Sequence, residues 1–135
     1  MKVFLDSNVL VSAFASRGLC ADLLEVVLLE HDLVLGHHVV REVSKALRGK
    51  LKLPAARAAE IVEFVSGEAA QIVHESEPSD ARVDPDDALV LGEALAARAE
   101  VFVTGDAALI KLGAIEKLEI VAPRRFWEML HTTKP

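Results

Sequence analysis

The sequence predicts an α/β protein, a three-layer α/β/α sandwich around a central, mostly parallel five-stranded sheet. Short apolar runs alternate with longer segments in which apolar residues recur at helical spacing. The short runs are apolar throughout, which is typical of parallel strands covered by helices on both faces. The length of 135 residues and the 52% of hydrophobic residues suit one domain with one core.

The first half of the chain predicts two strands and three helices. Residues 2–5 and 33–35 are apolar runs of strand length. Between them, residues 19–30 carry apolar side chains at helical spacing. Residues 38–47 place valine or leucine at intervals of four, which also indicates a helix. A third helix is predicted over 54–65, since its first residue is proline, which suits a first helical turn.

The second half predicts three strands and three helices. Residues 71–74 are a third strand. The next helix starts at Asp84 as N-cap, with Pro85 and acidic residues in its first turn, and runs to about residue 99. A strand over 101–104 leads into a short helix over 107–112. The chain closes with a strand and a helix, at 119–121 and 123–130.

The composition and the apolar runs exclude several classes of protein and of site. The lone cysteine, Cys20, excludes an internal disulfide and a multi-cysteine zinc site. The N-terminus reaches Asp6 too early for a secretory signal, and no apolar run approaches the roughly 20 residues of a membrane span. We therefore expect a cytoplasmic protein with no membrane segment, with one domain over 1–130 and a C-terminal tail over 131–135. The net charge of −6 taken alone argues against a nucleic-acid partner.

Four acidic residues fall where open α/β sheets bind ligands. Asp6 and Asp106 follow the first and fourth strands, Asp87 lies in the first turn of the helix before the fourth strand, and Glu42 lies in a helix. Ligands bind beyond the carboxyl ends of the strands where the winding reverses, so we expect the four to meet. Mg²⁺ and Mn²⁺ prefer such oxygen ligands, and a bound metal activates water without a Ser, His or Cys nucleophile.

Each of these acids also has a common structural explanation that requires no functional site. An aspartate after a strand is most often a turn or cap residue, and Asp84 and Asp86 are explained by the N-cap and the helix dipole. Glu42 alone would be a solvated helix residue. The joint occurrence of two strand-end aspartates, a first-turn aspartate and a helix glutamate favours a site.

Four segments, in this order, resemble the acidic motifs of PIN-domain ribonucleases. They are Phe-Leu-Asp-Ser-Asn-Val-Leu at 4–10, Val-Arg-Glu-Val at 40–43, Asp-Pro-Asp-Asp at 84–87 and Val-Thr-Gly-Asp at 103–106. The resemblance covers residues 1–130 and implies a PIN-like fold. It implies that the catalytic, metal-binding residues are Asp6, Glu42, Asp87 and Asp106. It implies auxiliary roles beside them for Ser7, Asn8, Asp84 and Thr104.

The resemblance also implies an activity and partners. It implies Mg²⁺- or Mn²⁺-dependent endonucleolytic hydrolysis of single-stranded RNA. Many small members are toxins held by an antitoxin, as in the VapC-like group, and a homodimer is consistent with the family. Where many relatives carry another aspartate after the fourth motif, this chain has Ala108, which bears on a second metal ion and not on the first.

The net charge of −6 does not argue against a nucleic-acid partner once the acids of the predicted site are counted separately. Without Asp6, Glu42, Asp84, Asp86, Asp87 and Asp106, the remaining acidic and basic residues are equal in number. Residues 41–57 carry six basic residues and one acidic residue. Arg41, Lys45 and Arg48 in this segment are candidates for contact with RNA phosphates, and an ordinary solvated helix face is the alternative.

Two other functions are compatible with a small acidic α/β chain. A phospho-receiver domain needs an aspartate after its middle strand, and Glu75 follows residues 71–74 instead, which disfavours this reading. A catalytically silent PIN-like module that binds RNA or protein is the second alternative. The intact set of four acids argues against the silent module, and Ala108 argues for it.

Overall fold

The computed structural model describes residues 1–132, which build one six-stranded sheet with helices packed on it. The strands are β1 (Lys2–Leu5), β2 (Asp32–Gly36), β3 (Gln71–Val73), β4 (Val101–Val103), β5 (Ala114–Ile115) and β6 (Leu118–Val121). The helices are α1 (Ser7–Ala15), α2 (Leu19–Glu30), α3 (His37–Gly49), α4 (Ala55–Glu68), α5 (Pro85–Ala96), α6 (Ala107–Ile110) and α7 (Pro123–Thr132). No helix within residues 1–132 is both long enough and apolar enough to cross a bilayer.

The strand order places the start and the middle of the chain side by side. The order is β3-β2-β1-β4-β6-β5, and every pairing is parallel except that of β5 with β6. The chain winds outward from β1 through β2 to β3, then returns to add β4 on the other side of β1. The winding therefore reverses between β1 and β4, and their carboxyl ends form the switch point at which open α/β sheets bind ligands.

The two central strands are buried on both faces. The side chains of residues 3–5 and 101–103 are at most 3% exposed, which requires helices on each side of the sheet. Phe4 and Phe102 are register partners across β1 and β4, and their rings stack with centroids 5.2 Å apart. The backbone ladder continues past both strands, because Asp6 N donates to Val103 O at 2.9 Å and Thr104 N donates to Val121 O at 3.0 Å. Asp6 and Thr104 are thus held in place by backbone hydrogen bonds that extend the sheet.

The predicted fold class is confirmed, with two additions to the predicted elements. The sheet has six strands where five were predicted, because a two-residue strand, β5, pairs antiparallel with β6 through a tight turn with Glu116 at φ 53°. Helix α1 was not predicted, because its sequence is apolar almost all round and lacks a clear helical period. Two predicted helices end earlier, α5 at Ala96 and α6 at Ile110.

The last helix is longer than predicted. Helix α7 extends to Thr132, two residues beyond the predicted helix end. Residues 133–135 of the predicted tail lie outside the described residues.

Candidate metal centre

The carboxylate of Asp6 is buried at the end of β1, with 6% of the residue exposed. Asp6 is also the N-cap of α1, and its Oδ1 accepts a hydrogen bond from Ser7 N at 2.8 Å. Its Oδ2 accepts from the Thr104 hydroxyl at 2.7 Å and from Asn8 Nδ2 at 3.2 Å. The pKa of Asp6 is raised, because burial and the charge of Asp106 outweigh these three hydrogen bonds, which lower it. The carboxylate is thus fixed in direction in surroundings that favour a compensating cation.

The hydroxyl of Thr104 joins the ends of β1 and β4. Thr104 is fully buried, and its Oγ1 donates to Asp6 and accepts from Asp106 N at 3.0 Å. Asn8 adds a second link, since its Nδ2 lies 3.4 Å from Thr104 Oγ1 and its Oδ1 accepts from Gly105 N at 2.9 Å. Because each of these groups has a defined partner, the turn after β4 is oriented relative to Asp6.

Asp106 enters the site from that turn. It is the half-buried N-cap of α6, and its Oδ1 accepts from Ala108 N at 2.9 Å. The charge of Asp106 contributes to the raised pKa values of both Asp6 and Asp87. Asp106 therefore lies within electrostatic reach of two of the other acids predicted for this site. Ala108 is exposed beside it.

The first turn of α5 supplies Asp87. The helix begins where Asp84 Oδ1 accepts from Asp86 N at 3.0 Å, and this cap sets the direction of the turn that carries Asp87. Asp87 is half-buried, and its pKa is raised by burial and then by the charges of Asp106 and Asp6. Asp84 and Asp86 are exposed at the rim.

Glu42 approaches the same acids from the middle of α3. It is half-buried, and its buried Oε1 has no hydrogen-bond partner among the described residues. Burial raises the pKa of Glu42, the neighbouring His38 lowers it, and the charges of Asp6 and Asp87 raise it further. Glu42 therefore presents a carboxylate oxygen that is neither solvated nor bonded.

The four acids fit a divalent cation by their chemistry, although they do not form a closed ligand cage. Within residues 1–132, no three His, Cys, Asp or Glu side chains stand close enough together to hold a metal ion as they are arranged. Asp6 interacts electrostatically with each of Glu42, Asp87 and Asp106, and Asp87 interacts with Asp106 and Glu42. All four donors are hard oxygens and one is an unbonded buried atom, which is the donor set that Mg²⁺ or Mn²⁺ takes, with water completing the coordination.

The predicted RNA-contact residues lie on the helix that carries Glu42. Arg41, Lys45 and Arg48 are exposed on α3. Arg48 Nε donates to Ser44 O at 3.4 Å, which keeps part of its side chain along the helix. None of the three forms an ion pair within the described residues, so these cations are open to solvent.

Two residues near this site were missed at the level of sequence. Glu93 in α5 is only 5% exposed, and its Oε2 accepts a hydrogen bond from His38 N at 2.8 Å. His38 Nε2 lies 3.8 Å from Asp86 Oδ1. A signal for Glu93 was present, because it is the one charged residue in an otherwise apolar helical run over 88–97, and a buried charge needs a partner.

Comparison with known proteins identifies the family. A family model described as PIN domain matches residues 2–108. The crystal structure of VapBC2 from Rickettsia felis, bound to a DNA fragment from their promoter, has a chain that aligns with a TM-score of 0.67 at 16% identity, covering 90% of this chain and 98% of that one. The structure of VapBC-1 from nontypeable Haemophilus influenzae gives a TM-score of 0.67 at 16% identity, covering 92% and 99%. At this identity, the structural matches establish similarity of fold. No curated protein sequence matches the chain.

Proposed function

The chain belongs to the PIN-domain family, and we propose that it is a metal-dependent endoribonuclease that hydrolyses phosphodiester bonds of single-stranded RNA. The single observation that carries the proposal is the gathering of Asp6, Glu42, Asp87 and Asp106 within electrostatic reach at the β1–β4 switch point. A binding surface for a polyanion would not gather carboxylates at its centre, because they repel phosphate. A cation between the carboxylates and the phosphate reconciles the two charges.

Some residues of the site would bind the metal ion, and others would orient these ligands. Asp6, Glu42, Asp87 and Asp106 are the proposed metal ligands and catalytic residues, and a bound Mg²⁺ or Mn²⁺ would lower the pKa of a water and polarise the phosphodiester. Thr104 and Asn8 fix the direction of the Asp6 carboxylate through their hydrogen bonds at 2.7 and 3.2 Å. Ser7 N and Ala108 N each hold one oxygen of an aspartate, leaving its remaining lone pairs for the metal. Asp84 sets the first turn of α5 and so the approach of Asp87.

The substrate would reach this site along α3. Arg41, Lys45 and Arg48 present exposed positive charges on the helix that carries Glu42. Phosphates flanking the scissile bond would contact these side chains, since basic residues supply most of the affinity for a nucleic-acid backbone. We propose single-stranded RNA as the substrate because a flexible strand can bring its phosphates to the exposed side chains of α3 and to the carboxylates at once.

We further propose that the protein is the toxin of a cytoplasmic toxin–antitoxin pair and that it forms a homodimer. The support is the similarity in fold to chains of the two VapBC assemblies over at least 90% of this chain.

Cleavage of RNA by the purified protein tests the enzymatic proposal. We expect the wild-type protein to cleave single-stranded RNA with Mn²⁺ or Mg²⁺ and to be inactive with EDTA. Asp6→Asn and Asp106→Asn each remove the charge of one ligand and should lower the rate by at least about 100-fold. Asp32→Asn is the matched control, because Asp32 is exposed at the opposite end of the strands and should leave the rate unchanged.

The same assay decides between the enzyme and a silent module. One observation favours the silent module: no three acidic side chains close on a common point within the described residues. A wild-type protein that binds RNA but leaves it intact with either metal would contradict the enzymatic proposal. Equal rates in the wild type and in both asparagine variants would contradict the assignment of the ligands.

A further inference from the structure

Glu93 joins the two helices that carry Glu42 and Asp87. Its Oε2 accepts from His38 N, at the first turn of α3, over 2.8 Å. This hydrogen bond joins α3 directly to α5. The side chain comes from α5, which carries Asp87 in its first turn. One carboxylate thus bridges the two helices that supply half of the proposed ligands.

The start of α3 is built to receive this carboxylate. The N-cap of α3 is Gly36, which has no side chain to accept from the free N–H groups of the first turn. A Cβ at Gly36 would clash with the carboxyl group of Glu93. Glycine thus permits the approach, and Glu93 from another helix satisfies the donor that a serine or aspartate cap would otherwise satisfy.

The hydrogen bond between Glu93 and His38 N lies one helical turn before Glu42 in α3. His38 and Glu42 are one turn apart, so the hydrogen bond to His38 N fixes the turn directly before Glu42. On the other side, His38 Nε2 lies 3.8 Å from Asp86 Oδ1, beside Asp87. Glu93 is only 5% exposed, so water does not compete for its hydrogen bond with His38 N in the wild type.

We infer that Glu93 is a positioning residue, which holds α3 against α5 so that Glu42 and Asp87 face the same metal ion. The inference rests on the proposed function for the identity of the metal ligands. Glu93 itself would contact neither the metal ion nor RNA. Its carboxylate oxygen fixes the backbone of His38, and this in turn fixes the position of Glu42 one helical turn later.

Two substitutions separate positioning from simple support of the fold. Glu93→Gln keeps an oxygen that accepts from His38 N, whereas Glu93→Ala removes it. Residues that orient metal ligands typically change metal affinity by roughly 10–100-fold when lost, so we expect the Mn²⁺ affinity of Glu93→Ala to fall by about this factor. Glu93→Gln should stay within about threefold of the wild type, because the acceptor survives. Val90→Ala is the matched control, since it removes buried apolar atoms from the same helix and should lower stability without changing Mn²⁺ affinity.

Mn²⁺ binding is measured by calorimetry, and the amide proton of His38 is followed by NMR. The inference predicts a protected His38 amide in the wild type and in Glu93→Gln, loss of protection in Glu93→Ala, and a parallel loss of Mn²⁺ affinity. Equal Mn²⁺ affinities in the wild type and Glu93→Ala would overturn it, as would an equal loss in Val90→Ala. If the proposed function is wrong and this inference is right, the Mn²⁺ affinities of the wild type and the Glu93 variants will still differ as expected. Neither the wild type nor any variant will then cleave RNA.

Discussion

Thr104→Val tests the link between the ends of β1 and β4. Valine has nearly the shape of threonine, so the change removes the hydroxyl without opening a cavity in this fully buried position. The lost hydrogen bond to the Asp6 carboxylate, 2.7 Å long, is charge-assisted and costs about 1.5–3 kcal/mol. Asp106 N also loses its acceptor, and because this group is partly exposed the further cost is about 1 kcal/mol. We therefore expect Thr104→Val to lower the free energy of unfolding by about 2.5–4 kcal/mol.

Urea unfolding followed by circular dichroism measures this loss, and Thr104→Ser is the control. Serine keeps the hydroxyl and loses one methyl group, which costs about 1 kcal/mol at any pH. The loss in Thr104→Val depends on pH, because the bond to Asp6 is strongest when Asp6 is ionised. It should shrink as pH is lowered through the pKa of Asp6, while the loss in Thr104→Ser stays constant.

Three results bear on this reasoning. A loss below about 0.5 kcal/mol in Thr104→Val would refute the claim that the hydroxyl organises the site, since surface substitutions cost no more than this. A loss in Thr104→Val that does not change with pH would refute the claim that its partner is the Asp6 carboxylate. A larger loss in Thr104→Ser than in Thr104→Val would assign the effect to packing alone.

The remaining predictions concern pH, metal and RNA. Burial raises the pKa of Glu93 above its ordinary 4.5, so the folded state holds the proton more tightly than the unfolded state and stability falls as pH rises from about 4.5 through the raised pKa. Glu93→Gln should make this decline shallower by at most about 1.4 kcal/mol per pH unit in urea titrations, and an unchanged slope would contradict the burial argument. Mn²⁺ at 100 times its dissociation constant should stabilise the wild type by about 2.7 kcal/mol, and a thermal shift equally large in Asp106→Asn would show that the ion binds elsewhere. Lys45→Ala with Arg48→Ala should raise KM for RNA and flatten its salt dependence without changing Mn²⁺ affinity, and an unchanged KM would remove α3 from the RNA path.

The sequence predicts the fold well because its central strands are buried on both faces. Apolar runs such as 3–5 and 101–103 are typical of strands at the centre of a parallel sheet covered by helices. Helix α1 was missed because its residues, which follow Asp6, pack on several sides and carry no helical period. Strand β5 was missed because two residues, Ala114 and Ile115, are too few for any periodic signal, and their pairing depends on the turn at Glu116.

Individual residues of the candidate site could be predicted from the sequence, but contacts between distant segments could not. The switch-point rule directs attention to Asp6 and Asp106, because it depends only on the order of strands and helices. The role proposed for Glu93 was not predictable, since it depends on the approach of α5 to a glycine in the cap of α3. Such a contact joins residues 36 and 93, and no local pattern encodes a separation of this kind.

The most direct test of the central claim is a crystal structure of the wild-type protein with Mn²⁺, located by its anomalous scattering. We expect a Mn²⁺ ion at the carboxyl ends of β1 and β4, with carboxylate oxygens of Asp6 and of its acidic neighbours at about 2.0–2.3 Å. Glu42 and Asp87 would close on the ion as α3 and α5 hold them. A protein saturated with Mn²⁺ whose anomalous peaks all lie away from Asp6 would contradict it.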